Sequence, residues 1–148
     1  MKPIELQILI FSSEGGKYGV DAEQIAGLAD GDSGEAGVHF SQLMGVAEGN
    51  DYSRWAKRLW IKNIAGMAVL VPEPDEVAVC STADIRCLPT VLKAAVRHGV
   101  WGFWIREEEI IILVDFHKNE QLRRLTGGEE IAGNRTDIAG GRKDEQQS

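Results

Sequence analysis

The chain has 148 residues, a net charge of −7 and a pI near 5.0. That length suits one domain, or two small lobes sharing a core. The acidic balance excludes nucleic acid as the main partner, because binding phosphates needs a basic surface. No apolar run approaches the ~20 residues that span a bilayer, so no membrane partner is expected.

The opening "MKPIELQILIF" carries a lysine and an apolar run, but Glu5 interrupts it and no small-residue cleavage site follows. It reads as a strand and not as a signal peptide. Along "IELQILIFS", Ile4, Leu6, Ile8 and Ile10 take one face, and Leu9 and Phe11 the other. Gly15 and Gly16 supply the tight turn of a hairpin whose returning strand starts at Tyr18 and Val20 and runs toward Ile25 and Leu28. "ADGDSGEAG" is a polar loop, "VHFSQLMGV" a short apolar element of open type, and "AEGNDYS" a second loop.

"RWAKRLWIKN", 54–63, interleaves cationic and apolar residues, as a strand with one wet face does. "MAVLVPEPDEVAVC", 67–80, reads as two strands around a bend at Pro72 and Pro74, which places that bend at an edge or corner. In "LPTVLKAAVRHG", 88–99, Leu88, Val91, Leu92, Ala95 and Val96 have the spacing of a buried helical stripe. "VWGFWIREEEIIILVDF", 100–116, is expected to be two strands joined by the charged turn "REEE", with its aromatics inside. "HKNEQLRRL" forms a last amphipathic helix, and the Gly-rich, charged stretch 126–148 is expected to be a disordered tail. Many short strands, glycine-marked turns and one clear helix near 88–98 predict a mainly β barrel or sandwich.

No constellation for chemistry emerges. Cys80 and Cys87 fit neither a metal pattern nor a disulfide framework, so a cytoplasmic location is the simpler reading. Cys87 and His98 lack a third group to orient them. His39 and His117 stand beside Phe40 and Phe116 without ligand spacing. No catalytic residue, metal or cofactor is therefore expected.

Taken in order, these pieces resemble the CheW family of bacterial chemotaxis adaptors. "ILIFSSEGGKYGVDAEQIAGLADG" is similar to that family's opening hairpin, and "HFSQLMG" to the segment around its mid-chain turn. "RLWIKNIAGMAVLVPEPDEVAVCSTADIRCLP" and "WGFWIREEEIIILVDFHKNEQL" resemble the second lobe and the final hairpin. The resemblance spans roughly residues 4–125. It implies two small SH3-like β-barrel lobes sharing a hydrophobic core, in one domain over 1–125, and a non-catalytic role linking chemoreceptors to a histidine kinase.

The family's "N-L-R-G" stretch, with its partner-contacting arginine, has no counterpart. Only "GDSGEAG" lies there, so the first lobe is expected to be incomplete around 30–38. Ile25 and Leu28 match the family's partner-facing stretch. They admit two readings, a partner-binding strip or a cover for core left by the absent strands. Trp55, flanked by Arg54 and Lys57, is the third expected partner-binding residue. The alternative to receptor or kinase binding is self-association through an exposed strand edge.

Overall fold

The computed structural model describes residues 2–13, 15–30, 37–45 and 57–127. They form two curled sheets, the two β lobes expected from the resemblance. The first strand, β1 (Glu5–Ser13), turns at Gly15, whose φ of +82° a side chain would resist, into β2 (Gly16–Asp21). The chain then changes sheets. Asp21 accepts the Glu23 N–H at 2.9 Å and starts a 3-10 turn, Ala22–Gln24, which delivers β3 (Ile25–Asp30) to the second sheet. The returning strand expected to run toward Ile25 and Leu28 is thus two strands in different lobes.

Next come β4 (Gly37–His39) and the short helix α1 (Phe40–Leu43), then β5 (Lys57–Ile61) and β6 (Ala68–Val71). The second sheet has the order β3-β5-β6-β4. The proline bend carries the chain back to the first sheet at β7 (Glu76–Ser81), a corner between the lobes. A second 3-10 turn, Thr82–Asp84, leads to β8 (Ile85–Cys87), and β9 (Val100–Arg106) and β10 (Glu109–Val114) form the final hairpin. The first sheet has the order β7-β1-β2-β10-β9-β8. Its two edge strands are consecutive in the chain, so a single turn bridges the edges and the sheet curls toward closure. The helix α3 (Glu120–Thr126) follows a 3-10 turn, Phe116–Lys118.

β1 is the strand that both cores share. Its alternation sends Ile8 and Ile10 into the interior of the first sheet, with Cys80, Trp104, Ile111 and Leu113. Leu9 and Phe11 point the other way, into a larger core between the lobes with Val38, Leu43, Leu59, Ile61, Val69 and Val71. Phe40 seals that junction, meeting the rings of Phe11 and Tyr18 edge-on at 4.8 Å each and that of Phe116 at 6.1 Å. Gly19 lets β2 cross the smaller core, since a Cβ there would lie 2.6 Å from Ile8 and 3.1 Å from Ile111.

Two expectations change here. The segment 88–98 holds a 3-10 turn, Thr90–Leu92, and a single α-helical turn, α2 (Lys93–Val96). Only Leu88 and Ala95 of its expected stripe pack on the core, whereas Val91 is 88% exposed and Val96 52%. The periodicity is helical, but a helix of one turn is too short to bury five positions. The expected tail begins too early as well, because Thr126 ends α3 and Gly127 caps it in the left-handed conformation. Residues 128–148, and 31–36 of the stretch expected to lack strands, lie outside the described residues; Gly37–His39 of that stretch is β4.

Candidate partner-binding surface

The partner-facing residues expected from the sequence centre on β3. Its start is clamped from both sides. The Gln24 carbonyl accepts the Lys62 N–H at 2.8 Å, and its side-chain oxygen accepts the Phe116 N–H at 3.1 Å. Its end is tied to β5 by a 2.9 Å contact between Lys57 Nζ and Asp30 Oδ1, with Glu73 3.6 Å from the same ammonium. The Asp30 hydrogen bond, followed by the charges of Asp30 and Glu73, raises the Lys57 pKa above its ordinary value.

Between these clamps β3 pairs with β5 alone, leaving its other edge without a strand among the described residues. Burial along β3 alternates with the strand period of two, Ile25, Gly27 and Ala29 being half-buried and Ala26, Leu28 and Asp30 exposed. Ile25 and Leu28 therefore do not share a face. Ile25 is half-buried against the inter-lobe core, and Leu28 is 48% exposed. A Cβ at Gly27 would meet nothing within 4 Å. β3 also lacks the lysine and proline that usually blunt a free edge. Trp55 lies outside the described residues.

The groups considered for chemistry are dispersed. Cys87 is exposed on β8. His98 directs Nδ1 to the Leu43 carbonyl at 3.2 Å, and His117 Nε2 meets the Lys62 carbonyl at 2.6 Å. No group of three or more His, Cys, Asp or Glu among the described residues could hold a metal ion. No described helix is long and apolar enough to cross a membrane.

The charged turn "REEE" is a surface feature, with Glu107 and Glu108 exposed and Glu107 at a φ of +55°. Arg106 reaches Glu76 at 2.7 Å and Glu109 at 3.0 Å, and lies over the Trp104 ring at 5.2 Å. Glu76 begins the opposite edge strand, so this pair spans the mouth of the curled sheet.

Asn119 was not among the sequence candidates, yet it ties the lobes together. It is fully buried and donates through Nδ2 to the carbonyls of Leu43 and His98 at 2.9 and 2.8 Å, while Oδ1 accepts the Leu122 N–H at 2.9 Å. Its only signal in the sequence is an asparagine directly ahead of a helical run, the usual N-cap.

The fold is that of a two-lobed β protein of the CheW type. Among solved structures it is similar to the scaffolding protein TtCheW from Thermoanaerobacter tengcongensis, with a TM-score of 0.62 and 14% sequence identity over 76% of this chain and 90% of that one. No protein-family model matches the chain, and no characterised protein matches it in sequence.

Proposed function

We propose that this chain is a non-catalytic adaptor of bacterial signal transduction, of the chemotaxis type, that binds a chemoreceptor, a histidine kinase or both through protein–protein contacts. The edge of β3 that no strand among the described residues pairs, with Leu28 exposed on that strand, carries this reading. The near-complete coverage of a scaffolding protein by the same fold supports it. The family's partner-contacting arginine has no counterpart here, so binding would run through strand addition at β3, with main-chain hydrogen bonds giving affinity and Leu28 giving selectivity. The adaptor would act in the cytoplasm, where the free thiols Cys80 and Cys87 persist.

The test is capture of a receptor cytoplasmic tip and of a kinase regulatory domain by the purified protein, compared with a Leu28→Arg variant of unchanged melting temperature. Capture that the variant loses supports the reading, and absence of capture of both partners removes it. The same edge favours a second reading, pairing with another copy of the chain. Sedimentation at rising concentration decides this one, since a concentration-independent monomer ends it.

A further inference from the structure

The α2 segment leaves outside what its periodicity is suited to bury. Val91 is 88% exposed, Leu92 41% and Val96 52%. Three large apolar side chains left exposed within one short segment differ from the singly scattered exposure that is normal on a folded chain, and such clustering marks an interaction site. Nor is the segment loosely attached. The Leu92 and Gly99 amides bond to the Pro89 and Val96 carbonyls at 2.9 Å each, and the Arg97 carbonyl accepts the Glu120 N–H at 2.9 Å. Asn119 and His98 hold the end of the segment to α1. The apolar side chains are therefore presented outward on a fixed backbone.

Charge defines what would cover them. The chain carries −7 overall, yet residues 85–98 contain Arg86, Lys93 and Arg97 and no acidic residue. Arg97, next to Val96, is exposed, as is Lys118 on the 3-10 turn hydrogen-bonded to this segment through Asn119 and His98. We propose that the exposed surface of residues 90–97, formed by Val91 and Leu92 of the 3-10 turn and Val96 of α2 beside Arg97, docks an acidic amphipathic helix of a partner protein. Such a helix offers an apolar stripe to the valines and carboxylates to the cations. A second copy fits poorly, because a two-fold contact would bring together two faces of the same positive sign. An anionic bilayer fits poorly as well, because the rest of the chain is strongly negative. This surface is separate from β3 and does not depend on the adaptor reading.

The probe is a fluorescein-labelled helical peptide with a leucine stripe flanked by glutamates, titrated with the full chain and read by anisotropy. A twin peptide with lysines in place of the glutamates is the control. The glutamate peptide is expected to bind, and Val91→Ser, Val96→Ser and Arg97→Glu are each expected to weaken it by about tenfold at an unchanged melting temperature, as for residues central to an interface. Arg97→Glu alters an exposed side chain only, so it decides the matter should a valine variant fold poorly. Failure of the glutamate peptide to bind, equal binding of its lysine twin, or indifference to Arg97→Glu would overturn the proposal. So would binding to phosphatidylglycerol vesicles, or a concentration-dependent dimer, that these same variants abolish.

Discussion

The side-chain amide of Asn119 donates to the carbonyl of Leu43, 76 residues earlier, at 2.9 Å. That contact joins the end of α1 in one lobe to the start of α3 against the other. It lies at full burial, where an unmatched polar group is costly. His98 shares the same acceptor, so three chain segments converge on one carbonyl.

Asn119→Ala is expected to lower stability by about 2–4 kcal/mol in denaturant unfolding, because three buried hydrogen bonds lose their partner. Asn119→Asp is the sharper probe. Its carboxylate would face the Leu43 and His98 carbonyls, which accept and cannot donate, and this raises its folded-state pKa above the unfolded value. The ionised form is then the disfavoured one, so the variant should gain stability as pH falls from about 7.5 to about 5. A pH-independent deficit would show that the site is wet.

Cys80 and Cys87 are both free thiols with opposite surroundings. Burial, followed by the nearby charge of Asp84, pushes the Cys80 thiol up to about 11, while Cys87 is exposed. Ellman's reagent at about pH 8 should therefore titrate one thiol in the native protein and the second only in denaturant. Immediate reaction of both would place Cys80 outside the interior of the first sheet.

Arg106 holds the Glu109 carboxyl below its usual range through a hydrogen bond, with burial acting the other way and Lys17 adding to the lowering. A depressed carboxyl contributes stability above its unfolded-state pKa and loses that contribution as pH falls through the folded-state value. The stability gap between the natural chain and Arg106→Ala should therefore narrow on acidification from about pH 6 to about pH 3. A gap that is constant across this range would mean that packing over Trp104 accounts for the whole effect.

Much of this architecture is readable in the residues. The alternation of Ile8 and Ile10 against Leu9 and Phe11 already describes a strand buried on both faces, and the two cores bear that out. The final hairpin follows from two apolar runs around "REEE". What escapes a local reading is set at long range. The change of sheet after Asp21 is held by the bond from Phe116 to Gln24, 92 residues apart, and no periodicity within 18–28 announces it. Helical spacing in 88–98 says which residues share a face but not whether that face meets a core, so Val91 and Val96 were misplaced. At β3, the period-two alternation of a strand already sets Ile25 and Leu28, three residues apart, on opposite faces; only the change of sheet that starts β3 at Ile25 lies beyond a local reading.

That separation is testable. Ile25→Ala should cost about 1–3 kcal/mol as a half-buried core truncation, whereas Leu28→Ala should stay within about 0.5 kcal/mol of the natural chain. A comparable loss for both in thermal unfolding would mean that Leu28 is covered.

The adaptor account rests on β3 being the strand a partner completes. Amide hydrogen exchange resolved along Ile25–Asp30, with and without a saturating receptor tip or kinase regulatory domain, reads this directly. The account predicts that these amides slow on partner addition and that Leu28→Arg abolishes the effect. Partner binding that leaves β3 exchange unchanged would contradict it.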